Sequence, residues 1–209
     1  MNWIERLYEI KNKDLYSQNG EGLILEYITE MLNINGENRM IYDIGAGDRF
    51  ILSNSRHLAY NFGFSVRWSD RLTGQDITVD NCINKDIFTK DPSIISIDID
   101  GNDYWILDKM LPHYKPEIVV AEFNAMYTDS RTIAYNPDHV WAGDSYYGFT
   151  FEAGKKLAEK HGYKVIFQTG NMNMFMVRAD LIEGLSIPPV TYKQNDFFKL
   201  SDITDWVFV

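Results

Sequence analysis

The chain has 209 residues, 45% hydrophobic and 24% charged, the balance of a soluble globular protein large enough for one continuous core. Its formal net charge of −10 argues against a nucleic-acid partner, which needs clustered Lys and Arg, and against an anionic membrane surface. The first ten residues do not read as a signal peptide, no run approaches the roughly 20 apolar residues of a membrane span, and the single cysteine, Cys82, suits a reducing, cytoplasmic setting without disulfides or cysteine-held zinc.

Apolar residues at Leu23, Ile24, Tyr27, Ile28, Met31 and Leu32 predict an amphipathic helix over 22–32. Met40–Ile44 reads as a short buried strand that stops at the turn Asp43-Ile44-Gly45-Ala46-Gly47-Asp48. Ser53 is a candidate N-cap for a helix reaching Tyr60, with Gly63 as its stop. Strands are expected at 64–69, ending in Asp70, near 77–83, at 93–99 and at 117–123, with a short helix over 103–111. A helix over 150–161 precedes strands 163–168 and 174–178, joined by a hairpin turn at 169–173. Strand alternating with helix predicts a Rossmann-like, doubly wound α/β domain spanning 1–209, its mostly parallel sheet closed by an antiparallel hairpin. The stretch 124–147 is long, aromatic and without periodicity, and is the candidate substrate lid.

Open α/β sheets bind ligands at the carboxyl ends of their strands. Those ends bear Asp43, Gly45, Gly47 and Asp48; then Asp70; then Asp98, Asp100 and Asn102; and then Glu122 and Asn124. Neither the P-loop nor the dinucleotide fingerprint is matched, since no Gly-Lys-Ser/Thr follows and Phe50 holds the third glycine's place. Alone, the two glycines are equally read as turn geometry. The joint placement of a glycine turn after one strand and an acid after the next is the stronger signal.

Taken in order, several segments resemble the FkbM-like methyltransferases. They are Ser17-Gln18-Asn19-Gly20-Glu21, the Asp43 to Asp48 turn, Leu52-Ser53-Asn54-Ser55, and Ile97-Asp98-Ile99-Asp100-Gly101-Asn102-Asp103-Tyr104. Ala121-Glu122-Phe123-Asn124, His161-Gly162-Tyr163 and Asn173 to Arg178 follow. The resemblance implies a class I fold, S-adenosylmethionine as cofactor and methyl transfer, usually to oxygen. Carried over by position, Asp43, Gly45 and Gly47 line the methionine side of the cofactor, Asp70 holds the ribose, Gln18 closes the site and Asp86 approaches the adenine amine. Relatives commonly carry Gly where this chain has Arg49, a side chain able to close part of the pocket or pair with an acid.

Methyl transfer is an in-line displacement that requires the acceptor to be oriented and to lose a proton. Asp98 is the first candidate for the base, Glu122 the second, and His139 a third from the loop. Asp98 and Asp100, spaced to share one face of a strand, are a candidate pair of ligands for Mg²⁺. Asn102, Asn124, Tyr127 and Trp141 are candidates for contact with a small-molecule or carbohydrate-like acceptor. Asp100 and Asp103 equally suit helix capping. Two other functions fit the same pattern: a non-catalytic binding module on this fold, and a metal-dependent glycosyl or nucleotidyl transferase using Asp98 and Asp100.

Overall fold

The structure is a computed structural model that describes residues 2–36, 39–46, 52–69 and 76–209. Helices α1 (Trp3–Arg6) and α2 (Glu21–Met31) precede strand β1 (Met40–Ile44), helix α3 (Arg56–Phe62) and strands β2 (Ser65–Ser69) and β3 (Ile94–Ile97). Helix α4 (Asp103–Tyr114), strands β4 (Ile118–Glu122) and β5 (Arg131–Ile133), and helix α5 (Phe151–Lys160) follow. Strands β6 (Tyr163–Thr169), β7 (Asn173–Arg178) and β8 (Trp206–Phe208) end the chain. The main sheet has the order β2-β1-β3-β4-β7-β6. Its first four strands are parallel; β7 runs antiparallel to β4, and β6 pairs antiparallel with β7 as a hairpin, which returns it to the direction of the other four. This is the doubly wound architecture with a terminal hairpin that the alternation predicts.

Period-2 alternation sorts the buried strand residues into two cores. Tyr42, Ile44, Ile95, Ile97, Val119, Ala121, Met174 and Met176 pack under α4 and α5. Ile41, Ile94, Ile118, Val120, Phe175 and Val177 pack under α1, α2 and α3. Helix α5 is capped by Thr150, whose hydroxyl accepts from Ala153 N at 3.4 Å. Helix α3 ends at Gly63 in the left-handed conformation, as its sequence predicts. Its cap differs in detail: Ser55 holds the N-cap position, while the Ser53 hydroxyl accepts from Arg56 N at 3.2 Å. The hairpin turn carries positive φ at Gly170 and Asn171, which glycine and asparagine tolerate best.

Two expectations are corrected. Residues 77–83 form turns, not a strand. Asn81 Oδ1 accepts from Thr78 N and its Nδ2 donates to Asp76 O, both at 2.8 Å, so local side-chain bonds take over the backbone groups a sheet would use. The loop 124–147 is likewise more ordered than its lack of periodicity suggests. It contains β5, which pairs antiparallel with β8 in a second small sheet. Arg131 lies over the rings of Tyr127, Trp206 and Phe208, 4.3 to 5.3 Å from their centroids, and Tyr146 donates from its hydroxyl to Asp205 O at 2.7 Å.

Trp206 packs edge-on against Tyr127 and Tyr146 at centroid distances of 5.1 and 4.9 Å. Trp206→Ala is expected to cost about 2 kcal/mol and to release β8. Hydrogen exchange should then quicken at the Ala134 amide, which bonds Asp205 O, while the amides of β1 and β3 keep their protection.

Candidate functional site

The carboxyl ends of β1, β2 and β3 open onto a cavity of about 340 Å³. Its walls include Gly45, Ser69, Asp98, Asp100, Asn102 and His139, with Asp76, Thr78 and Trp141 at the sides. Gly45 has φ +89°, and a Cβ built there would lie 1.7 Å from the carbonyl oxygen of Asp98. The residue is therefore fixed as glycine by the close passage of two backbones. Its N–H donates to Ser69 O at 2.7 Å, and Asp98 N donates to Ile44 O at 2.9 Å, so the three strand ends are tied together just where the cavity begins.

Asp43 is buried, at 2% exposure, and does not line the cavity. Its Oδ2 accepts from the hydroxyls of Ser55 at 2.5 Å and Ser53 at 2.8 Å. Burial pushes its pKa up and those two hydroxyls oppose the shift. Ser53 N in turn donates to Tyr16 O at 3.1 Å, and Asn54 Nδ2 donates to Ser96 Oγ at 3.1 Å. Asp43 thus holds the loop after β1 and, through it, the N-terminal segment. Glu21 secures that segment at its other end, accepting from Thr169 Oγ1 at 2.5 Å, Asn173 Nδ2 at 3.1 Å and Asn19 N at 2.7 Å.

Asp98, Asp100 and Glu122 each present an oxygen within 4.8 Å of the others. The route to this cluster differs from the one expected. Strand β3 stops at Ile97, and Asp100 sits in a turn at φ +53°, so a turn and not a shared strand face brings the two aspartates together. Burial raises the pKa of both Asp98 and Glu122 well above the carboxylate range, and the neighbouring carboxylates add to it. A side-chain hydrogen bond links the two. Tyr147, buried beside all three, has its phenol pKa raised, chiefly by burial and then by Glu122, Asp100 and Asp98.

Asp103 opens α4 and accepts from Ile99 N at 2.9 Å and Gly101 N at 2.8 Å, which shapes the loop that carries Asp100. Asn102 reaches the 124–147 segment: its Nδ2 donates to Asn136 O at 2.7 Å, and its Oδ1 accepts from Asn136 N at 3.3 Å. His139 is brought into the cavity wall, its Cδ2 only 3.0 Å from where a Cβ on Gly101 would stand. Trp141 also lines the cavity, fixed by its Nε1 donating to Asp144 O at 2.7 Å.

Other candidates fall elsewhere. Asn124 is fully buried, donating to Ser145 O and Tyr147 O and accepting from Met126 N, so its amide is consumed in folding the 124–147 segment. Tyr127 bonds Ser145 Oγ at 2.8 Å and faces the small sheet. Gln18 and Asp86 are exposed and outside the cavity lining. Gly47, Arg49 and Asp70 lie outside the described residues.

Sequence reasoning passed over Ser69, Asp76 and Thr78. Ser69 is 2% exposed, lines the cavity, and its hydroxyl has no hydrogen-bond partner among the described residues. A buried hydroxyl without a partner costs about 1–3 kcal/mol, a cost that a polar ligand in the cavity removes. The acceptor-rich carboxylate wall is matched to a ligand bearing positive charge. A strand-end serine gives no sequence signal beyond its position next to Asp70.

No protein-family model matches the sequence, and no curated protein does. Among solved structures the chain is similar to one described as an O-methyltransferase family protein from Burkholderia thailandensis, at a TM-score of 0.40 and 10% identity. The match covers 83% of this chain and 66% of that one.

The charge balance of the cluster has a measurable consequence. A carboxyl whose pKa is higher folded than unfolded contributes stability below its unfolded pKa and loses it as pH rises toward the folded value. Asp98→Asn is therefore expected to melt at a higher temperature than the parent chain at pH 8 in the absence of ligand, with the gap closing as pH falls to about 4. Thermal melts across that range check it.

Proposed function

We propose that this chain is one S-adenosylmethionine-dependent methyltransferase domain of the FkbM-like kind, transferring a methyl group to oxygen of a small-molecule or carbohydrate-like acceptor. The observation that carries this reading is one cavity whose wall joins the Gly45 turn, the hydroxyl of Ser69, which has no hydrogen-bond partner among the described residues, and the carboxylate of Asp98. Its volume of about 340 Å³ lies in the range of small-ligand sites. The polar donor set fits the cofactor: Ser69 for a polar group of the nucleoside, with Asp76 and Thr78 beside it, and Asp98 facing the cationic end.

S-adenosylmethionine, when bound, supplies the methyl group from a sulfonium. The protein's own part is to place the acceptor and take its proton. Asp98 accepts that proton, and Glu122, hydrogen-bonded to it, adjusts its basicity; their raised pKa values bring a carboxylate closer to the strength a general base needs near neutrality. His139 stands across the cavity as a second proton carrier. Trp141 and Asn102 offer an apolar face and an amide for the acceptor, and the lid 124–147 excludes water. The acidic charge and the absence of a long apolar helix among the described residues suit a small-molecule partner, not nucleic acid or membrane, and the lone cysteine suits the cytoplasm.

A second reading, metal-dependent glycosyl or nucleotidyl transfer, is favoured by the three carboxylates within 4.8 Å. Turnover of a nucleotide sugar that S-adenosylmethionine leaves unchanged would select it.

Calorimetry with S-adenosylhomocysteine tests the first reading. Binding is expected in the parent chain, weakened about tenfold in Ser69→Val by loss of one hydrogen bond. Asp98→Asn should keep binding and lose turnover. A folded parent chain that gives no heat at millimolar ligand would overturn the proposal.

A further inference from the structure

We propose that the outer edge of β6 is a docking groove for a neutral, extended peptide segment of a partner protein, which adds to the main sheet as a further strand. The groove shares no lining residue with the cavity at the strand ends, so this inference stands or falls apart from the cofactor reading.

Strand β6 ends the main sheet, with β7 on its inner side. Along its outer side lies a cleft of about 490 Å³, bounded by residues 162–165, by the α5 face that carries Glu152, Lys155 and Glu159, and by the segment 187–190. Successive side chains of a strand point to opposite faces of the sheet. Tyr163 and Val165 accordingly pack into the core under α5, and Ile166 into the other core. Tyr163, Lys164 and Val165 can all line one cleft only because it runs along the backbone edge.

The ladder with β7 fixes what that edge presents. Ala179 N donates to Gly162 O at 2.8 Å, and alternation from there turns the N–H and C=O of Tyr163 and Val165 away from β7. None of these four groups has a hydrogen-bond partner among the described residues. The register shift of β6 comes after Val165, so this stretch is regular. Segment 187–190 does not supply the missing strand. Ile187 packs against one core and Val190 against the other, so the segment crosses the edge and does not follow it. Pro188 and Pro189, at the crossing, have no N–H to offer. The chain is fastened only further on, where Gln168 Nε2 donates to Thr191 O and Lys193 N donates to Asn171 Oδ1, both at 3.1 Å.

Donors and acceptors that alternate along a strand edge are matched by another extended backbone. The rim holds two carboxylates, Glu152 and Glu159, and two ammonium groups, Lys155 and Lys164, so its charges cancel and suit a neutral segment. Phe151, Ile187 and Val190 offer apolar surface to the side chains that point inward. A second copy of this chain, at a net charge of −10, is repelled as a whole and is the poorer occupant.

The terminally blocked peptide Thr-Val-Thr-Val-Thr, titrated to millimolar concentration, tests the groove by amide chemical shifts and hydrogen exchange. Exchange at the Tyr163 and Val165 amides is expected to slow about tenfold at saturation, with β1 and β3 unchanged. The same peptide N-methylated at every residue keeps its side chains, loses its donors and is expected not to bind. Val165→Pro removes an outward N–H that no ladder bond uses, so the fold is kept and affinity should fall about tenfold. If that variant does not fold, the N-methylated peptide decides alone. Unchanged Tyr163 and Val165 amides, equal binding of the N-methylated peptide, or equal affinity in folded Val165→Pro would each overturn the proposal. Protection that rises with protein concentration and needs no peptide would overturn it in favour of a second copy.

Discussion

The backbone of Gly45 passes so close to the carbonyl of Asp98 that no other residue fits, and the open edge of the sheet is organised around that passage. Because β1 and β3 meet there, the chain after β3 must turn at once, which brings Asp100 back toward Asp98. The neighbouring strand β4 then delivers Glu122 to the same place. The glycine that looks in sequence like a ligand cradle serves first as a packing requirement between two strands. The cavity follows from it.

The cost of this arrangement is concentrated charge. Five acids stand on or beside the strand ends, and they are settled in different ways. Asp43 is satisfied by two serine hydroxyls, Asp103 by two loop amides, and Glu21 by hydroxyl and amide donors from the hairpin. Only Asp98 and Glu122 must lean on one another. Unsettled carboxylates inside an otherwise well-bonded frame are a feature of functional sites, where stability is traded for a group held ready to react.

How much of this was legible in the sequence varied with how local the cause was. Met40–Ile44 was exact as a strand because a short apolar run, buried from Ile41 to Ile44, ends at a glycine turn, and α5 was visible from Thr150, a strong cap followed by a regular apolar stripe. The antiparallel hairpin followed from Gly170 and Asn171. The supposed strand near Ile77 failed because Asn81 offers the backbone local bonds, which outweigh a few apolar residues. β5 and β8 were missed because three-residue strands show no period, and their pairing is decided by rings stacking around Arg131. Among site residues, acids at strand ends were readable from position alone. Which of them would be consumed by neighbours, as Asp43 is, depends on contacts with Ser53 and Ser55 that only the folded loop creates. The absorption of Asn124 into the bonds of its own segment has the same origin.

The small sheet that braces the 124–147 segment joins parts of the chain far apart in sequence: Ser130 and Val209, bonded to each other, are 79 positions apart. Contacts of such separation close a long loop before they return any energy, so they form late and slowly. The wall carrying His139 and Trp141 is thus assembled onto a sheet that is already complete. It is joined to that sheet's frame at the Asn124–Thr150 bridge, by Asn102 bonded to Asn136, and by Trp105 Nε1, which donates to Ile133 O at 2.9 Å. A release of β8 therefore loosens the cleft wall at that place and leaves the strands of the main sheet paired.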